Sequence, residues 1–155
     1  MKKKSLNSKP LNNKGLNIGG NPELDRKDSM DRFLIIKPFL EEIGYKRFNQ
    51  RDCIFFNEEK KKILVVTSAP SQTKMTNYYK SKFKSLKKEL NSEYTCYIYF
   101  SRNYNEWSNK PVYMKILKNI QKLPCVSGIF VGINNLSEIV NTLKNTTNEI
   151  LYIIK

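Results

Sequence analysis

Apolar positions in this chain follow two alternating periods from about residue 29 onward. Short, nearly continuous apolar runs of strand length occupy residues 52–57, 62–67, 94–100, 128–131 and 150–154. Several of the intervening stretches carry apolar residues every three or four positions, which is typical of helices that bury one face. These stretches predict helices over residues 71–90, 111–123 and 136–143.

The helix predicted over residues 71–90 separates its apolar positions from its basic ones. The apolar stripe consists of Met75, Tyr79, Phe83, Leu86 and Leu90, and an arc away from it holds Lys80, Lys84, Lys87 and Lys88. A basic arc of this kind is usually a solvated face, and a nucleic-acid-binding face is the alternative.

The order of the elements predicts the fold class. A helix from about Ser29 to Gly44 comes first, and Pro38 within it predicts a kink or a restart. A hairpin follows, with its polar turn at residues 58–61. Strand and helix then alternate with short links, which favours right-handed crossovers and parallel pairing. We therefore expect a three-layer α/β domain with a mixed, mostly parallel sheet of about five strands.

The N-terminal region differs in composition from the rest of the chain. Residues 1–28 combine Lys, Asn, Ser, Gly and Pro with isolated leucines and no apolar period. This composition predicts a disordered basic tail at residues 1–28 and a single α/β domain at residues 29–155. The tail is either a solvated leader or a basic arm that lies along nucleic acid.

The charge of the chain indicates the chemistry of its partners. Lys and Arg together number 28 against 14 Asp and Glu, which gives a formal net charge of +14. A positive field of this size attracts phosphate polymers. Lys greatly outnumbers Arg and Asn is abundant, however, so the codon bias of an AT-rich genome is an alternative source of part of the charge.

Several classes of site are excluded by missing residues. The chain has no histidine, so it has no Ser-His or Cys-His dyad and no histidine metal ligand. It also lacks a P-loop motif and a glycine-rich dinucleotide fingerprint. We therefore expect no catalytic residues, no metal site and no cofactor.

Cysteine usage and hydropathy indicate the compartment. The three cysteines are widely spaced within apolar runs, which favours reduced, buried thiols. Lysines near the N-terminus are followed by polar residues and not by the apolar core of a secretory signal. No apolar run approaches the length of about 20 residues that spans a bilayer. These features predict an intracellular protein, cytoplasmic or nuclear, that makes no membrane contact.

One resemblance to a known family bears on catalysis. Asp52 opens the first hairpin strand and Glu42 lies on the preceding helix. In this order of elements, residues 29–100 resemble the core of the restriction-endonuclease-like superfamily, which would make Asp52 a metal-binding carboxylate and Glu42 an accessory one. The family's Glu-x-Lys motif is missing, since residues 63–68 contain no carboxylate and Glu58, Glu59 and Lys60 lie in the turn. The resemblance therefore implies an inactive or divergent relative.

The loops that follow the strands hold the best binding candidates. Parallel strands end at one edge of a sheet, where ligands usually bind. The candidate nucleic-acid-binding residues are Lys74, Arg102, Trp107 and Lys110 in these loops, together with Lys80 and Lys84 on the helix between them. Arg and Lys beside an aromatic ring can bind phosphates and stack bases, whereas the alternative for Trp107 is to anchor its loop to the core.

The function favoured by the sequence is non-catalytic binding of nucleic acid, DNA or RNA, through a basic surface. Two alternatives remain open. One is a degenerate or divergent nuclease of the restriction-endonuclease-like kind. The other is a protein–protein accessory factor or assembly subunit, of the sort that viruses and mobile elements encode, whose charge reflects codon bias.

Overall fold

A six-stranded mixed sheet forms the centre of the computed structural model, which describes residues 22–131, 136–144 and 151–153. The strands are β1 (Lys46–Arg47), β2 (Ile54–Asn57), β3 (Lys62–Thr67), β4 (Thr95–Phe100), β5 (Gly128–Val131) and β6 (Leu151–Ile153), and they lie side by side in chain order. The pairings β1–β2 and β2–β3 are antiparallel, and the remaining three pairings are parallel. The α/β prediction is confirmed, with β1 as a short additional edge strand.

The helices cover both faces of this sheet. They are α1 (Pro22–Glu42), α2 (Met75–Leu90), α3 (Pro111–Gln121) and α4 (Leu136–Lys144), with a short 3₁₀ turn at Tyr104–Glu106. Side chains alternate along each strand, so residues 63, 65, 96 and 98 pack against α2 and α3, while residues 64, 66, 97 and 99 pack against α1 and α4. The three predicted layers are therefore present, with one apolar core on each side of the sheet.

Helix α1 is longer than the sequence pattern predicted. It begins at Pro22, so residues 22–28 of the predicted tail are helical, and residues 1–21 lie outside the described part of the chain. Proline suits the first position of a helix because its fixed φ is helical and its missing N–H needs no partner there. An ion pair from Lys27 to Asp31, one turn apart, joins the early turns to the rest of the helix.

Helix α1 does not restart at Pro38, although a restart was one of the two outcomes that the sequence pattern predicted. The helix continues through it to Glu42. Pro38 removes the N–H that would bond to the carbonyl of Leu34, but both residues lie on the exposed side, where water can hydrate that carbonyl. On the opposite side Phe33, Ile36 and Leu40 are fully buried, so apolar packing supports the helix on both sides of Pro38.

Helix α4 packs on the opposite face from α2 and α3. Its Ile139 and Leu143 join the α1 core, and the Tyr45 hydroxyl donates a hydrogen bond to the Leu143 carbonyl (2.9 Å). Because β3 to β6 are parallel and advance in one direction, the β5–α4–β6 connection has the opposite hand to the two before it. The expectation of uniformly right-handed crossovers is therefore wrong. The observed placement covers Tyr97 and Phe130, which share this core with α4.

Hydropathy gives one further result. Within the part of the chain that the structure describes, no helix combines the length and apolar character that crossing a membrane requires.

Candidate nucleic-acid interface and strand-end cleft

The loops that follow β3 and β4 lie side by side, as the sequence predicted. The Ser101 amide donates to the Thr67 carbonyl (2.7 Å), and the Arg102 amide donates to the Ser68 carbonyl (2.9 Å). This pairing extends the parallel ladder beyond the ends of the two strands and places Arg102 beside the entry to α2. Lys74 and Lys110, the exposed residues that precede α2 and α3, lie at the same edge of the sheet.

Trp107 does not belong to the surface of this edge. Only 1% of it is exposed, and its ring packs against Phe100, Tyr104 and Tyr113. Its indole N–H donates to the Arg102 carbonyl (3.3 Å). The idea that Trp107 is a stacking platform is therefore wrong. The indole is the largest apolar group in the loop, and burying it anchors the loop between β4 and α3 to the core.

The predicted lysines of α2 do lie on its outer surface. Lys80, Lys84 and Lys88 are exposed, and within the described chain none of them forms an ion pair. Lys87 is partly buried and pairs with Glu93 (3.6 Å). The four lysines border an open groove of about 600 Å³.

Helix α3 adds a second row of cations, which the sequence reasoning did not single out. Lys115, Lys118 and Lys122 are exposed and border a smaller groove of about 440 Å³. None of the three forms an ion pair with a described residue, and α3 contains no Asp or Glu. These lysines follow one another at intervals of three and four positions, on the side of α3 opposite its buried apolar residues. That spacing is the sequence pattern from which this row could have been predicted.

Together these two rows form what we call the lysine face, made of Lys80, Lys84, Lys88, Lys115, Lys118 and Lys122. Helices α2 and α3 pack side by side on one side of the sheet, so the rows are neighbours. Helix α1, on the other side, carries six acidic residues and four basic ones. Among these three helices, α2 and α3 therefore carry a net positive charge and α1 does not.

A wider cleft of about 950 Å³ opens where β3 ends and α2 begins. It lies between the loop before β2 and the first turns of α2, and its walls combine apolar side chains with hydroxyl and amide groups and carry few charges. The charged residues that line it are Arg51, Asp52 and Lys74. Of the six candidate residues chosen from the sequence, only Lys74 borders this cleft, while Lys80 and Lys84 border the groove on α2.

Asp52 is held by basic and amide groups. Asn49 donates a hydrogen bond to its carboxylate (3.0 Å), and the ammonium of Lys82 lies 3.5 Å from it. The bond from Asn49 lowers the pKa of Asp52 below its usual range, and the charges of Lys82 and Arg51 act in the same direction against the opposing effect of burial.

The nuclease resemblance would need further acidic ligands near Asp52. Across residues 22–131, 136–144 and 151–153, no cluster of three or more His, Cys, Asp or Glu residues is arranged to hold a metal ion. Glu42 is exposed at the end of α1, and Glu58 pairs with Lys46 (3.3 Å). The carboxylate of Asp52 therefore contributes to an ion pair at the edge of the cleft.

The three cysteines are free thiols, as expected from their spacing, but only Cys96 is buried, whereas Cys53 and Cys125 are partly exposed. Burial raises the pKa of Cys96 to about 12 and also raises the pKa of Cys53. Cys53 lines the cleft and Cys125 lines the groove on α2, but neither thiol stands beside a histidine, because the chain contains none. When compared with protein-family models, curated proteins and solved structures, the chain matches none of them.

Proposed function

We propose that this protein binds nucleic acid without cleaving it, and that the lysine face contacts the phosphate backbone. One observation supports the proposal above all others. Five exposed lysines on the outer surface of α2 and α3, together with Lys122 directly after α3, form no ion pair with a described residue, while the opposite helix α1 carries more acidic than basic residues. Codon bias alone would raise the lysine content of every helix and does not explain why α1 carries more acidic than basic residues while α3 carries no acidic residue.

The dimensions of the lysine face suit a duplex backbone. Lys80 and Lys88 are eight positions apart on one helix, which is about 12 Å along its axis. Packed helices lie about 8–10 Å apart, so the second row widens the face without interrupting it. Duplex DNA carries one negative charge per about 1.7 Å of its axis, so each lysine has a phosphate within reach.

The side chains on this face favour backbone contacts over base contacts. Lysine presents a point charge to a phosphate and lacks the planar fork with which arginine recognises guanine. Trp107, the ring that the sequence suggested for base stacking, is buried in the core and offers no face for a base. We therefore expect binding with little preference for sequence.

A charge-reversal pair tests this proposal. The first variant replaces Lys84, Lys88 and Lys118 with Glu. A matched control replaces Lys27, Lys37 and Lys46, which lie on or beside α1 and already pair with acidic residues. Both variants change the net charge by the same amount, so a difference between them reports where the charge lies.

The assay is duplex binding by fluorescence anisotropy over a series of salt concentrations. Each phosphate contact contributes about 0.9 to the slope of log K against log salt. Loss of three contacts should reduce the slope by about 2.7 and weaken binding on the order of 100-fold at low salt. The control should keep a slope close to that of the parent. Equal losses in the two variants would show that only the total charge matters, and the lysine face would then not be the binding site.

A protein–protein function is the second candidate, because α1 also has an apolar surface. Leu34, Ile35 and Phe39 are 49%, 46% and 52% exposed, and they lie within one and a half turns of each other. Clustered exposed apolar residues mark interaction sites more often than isolated ones do. If the parent protein shows no salt-dependent binding to any nucleic acid, and replacing Phe39 with Ser abolishes a stable complex with a partner, this second function is the correct one.

A further inference from the structure

The cleft at the strand ends lies where open α/β sheets usually bind their ligands. It opens outside the carboxyl end of β3, at the point where pairing in the sheet changes from antiparallel to parallel. Helix α1 packs on one face of the sheet and α2 on the other, and Ser29 of α1 and Met75 of α2 both line the opening. Helices on opposite faces leave a crevice beyond the strand ends, and ligands bind in such crevices. The volume of about 950 Å³ is sufficient for a small organic molecule.

One wall of this cleft carries an aromatic ring. Tyr78 lines the cleft and is 50% exposed, and its ring packs edge to face with that of Tyr79, with the two centroids 5.1 Å apart. Tyr79 is buried, so this contact holds the Tyr78 ring in place while part of its surface stays open. An aromatic ring that is exposed and held in this way can stack on a flat heterocycle.

A carboxylate with one unused oxygen lies beside that ring. Lys82, one turn after Tyr78 on α2, reaches Asp52 at 3.5 Å and so places this carboxylate next to the ring. The Oδ2 atom of Asp52 accepts hydrogen bonds from Asn49 (3.0 Å) and Lys82, whereas Oδ1 accepts none from a described residue. The Nε atom of Arg51 lies 3.8 Å from Oδ1, beyond hydrogen-bond range. Because a carboxylate oxygen accepts hydrogen bonds and cannot donate them, Oδ1 suits an N–H group of a ligand.

The charges around the cleft favour a neutral ring with an anionic group attached to it. The charge of Asp52 is already matched by that of Lys82, so a cationic ligand would gain little there. Arg51 and Lys74 are exposed lining residues, and among the described residues of the cleft Asp52 is the one acidic side chain. A donor group on a neutral ring suits Oδ1 of Asp52, and an attached phosphate suits the two cations. A nucleotide combines these two groups.

We propose that the cleft binds one unstacked nucleobase that carries an exocyclic amino group, with the base against Tyr78 and its amino group donating to Oδ1 of Asp52. Cytosine and adenine carry such a donor, whereas thymine and uracil present the acceptor O4 at that position, which a carboxylate oxygen repels. Bases in a duplex are paired and stacked, so the base comes from a free nucleotide or from a single strand. The cleft shares no residue with the lysine face, so this proposal does not rest on the function proposed above.

The first experiment compares cytidine monophosphate with uridine monophosphate by isothermal titration calorimetry. The two nucleotides share their sugar, their phosphate and the size of their ring, so the ratio of their affinities reports the contact to the amino group. Cytidine monophosphate should bind on the order of tenfold more tightly, because Asp52 accepts a hydrogen bond from N4 and repels O4. Equal affinities, or no binding of either nucleotide at millimolar concentrations, would overturn the proposal.

Variants of the two contact residues test the geometry. Asp52→Asn supplies an amide that donates as well as accepts, so it should bring the ratio of the two affinities close to one. Tyr78→Leu should weaken both nucleotides on the order of tenfold and keep their ratio, whereas Tyr78→Phe should bind as the parent does. Both nucleotides bind the same folded protein, so a loss of stability cannot imitate a change in the ratio. A preference for cytidine that survives in Asp52→Asn, or an unchanged affinity in Tyr78→Leu, would refute the proposed contacts.

A second experiment assigns the source of the base. Short oligouridine strands with and without one central cytidine are compared for binding to the parent and to Asp52→Asn. Tighter binding of the strand that contains cytidine, lost in the variant, assigns the cleft to single-stranded nucleic acid. Equal binding of the two strands, with the preference among mononucleotides intact, assigns it to a free nucleotide. Replacing Lys84, Lys88 and Lys118 with Glu should leave the preference among mononucleotides unchanged, so a failure of the lysine-face proposal is measured separately.

Discussion

Replacing Trp107 with Ala should destabilise the fold severely and should affect nucleic-acid binding only through that loss. A fully buried tryptophan removes about 200 Å² from water, which corresponds to about 5 kcal/mol at 25 cal/mol per Å². Measured Trp→Ala costs of about 3–5 kcal/mol in protein cores agree with this figure. Loss of the indole hydrogen bond to the Arg102 carbonyl is part of the change. We expect a loss of about 4 kcal/mol, a large share of the stability of a small domain.

Urea unfolding followed by far-UV circular dichroism measures this loss. Trp107→Phe is the matched variant, because it keeps ring packing against Phe100, Tyr104 and Tyr113 but removes the N–H donor. It should lose about 2 kcal/mol and bind single strands as the parent does. Since Trp107 is the single tryptophan of the chain, parent fluorescence should also shift to the red on unfolding. A loss below about 1 kcal/mol in Trp107→Ala, together with weaker strand binding by Trp107→Phe, would restore the stacking role.

Two further predictions concern the hairpin side of the sheet. Gly44 has a φ of +95°, and an added Cβ would lie 3.1 Å from the side-chain amide of Asn57, so Gly44→Ala should lose about 1–2 kcal/mol of unfolding free energy in urea. Gly44→Asn should cost less, and equal stability of the Ala variant and the parent would show that the turn relaxes freely. Asp52 has a lowered pKa in the folded state, so its stabilising effect is complete above the unfolded value of about 3.9 and is lost as the pH falls through the folded value. Asp52→Asn should therefore lose about 1 kcal/mol of unfolding free energy at pH 7, and its stability should fall less steeply than that of the parent as the solution is made acidic. An equal loss of unfolding free energy at all pH values would contradict this reasoning.

The regular elements were predictable because burial imposes a period on the sequence. Residues 63–66 are buried on both faces of the sheet and form a continuous apolar run, and α2 places Tyr79, Phe83 and Leu86 on one buried face. The start of α1 was missed because its first turns have no apolar period to detect. The passage of α1 through Pro38 depends on which side of the helix faces solvent, and that side is fixed by packing of the whole domain.

The site was only partly predictable, since it depends on how loops and helices meet. The meeting of the loops after β3 and β4 follows from parallel pairing, and Arg102 and Lys74 were placed correctly at one edge. The direction of the Trp107 side chain does not follow from sequence, because an indole in a polar loop can face either way. The lysines of α3 become part of one surface only when α2 and α3 are seen to be neighbours.

The mixed pairing of the sheet has a consequence for the order of folding. Strands β2 and β3 pair across a turn of four residues, with Asn57 opposite Lys62. Strand β4 pairs with β3 only after the whole of α2 has been traversed, so that Lys62 meets Thr95. A hairpin closes in microseconds, whereas parallel contacts between distant residues must first overcome the entropy of a long loop. The hairpin should therefore form early and provide the strand edge with which β4 pairs. Substitutions in the hairpin turn should then slow refolding more than they speed unfolding.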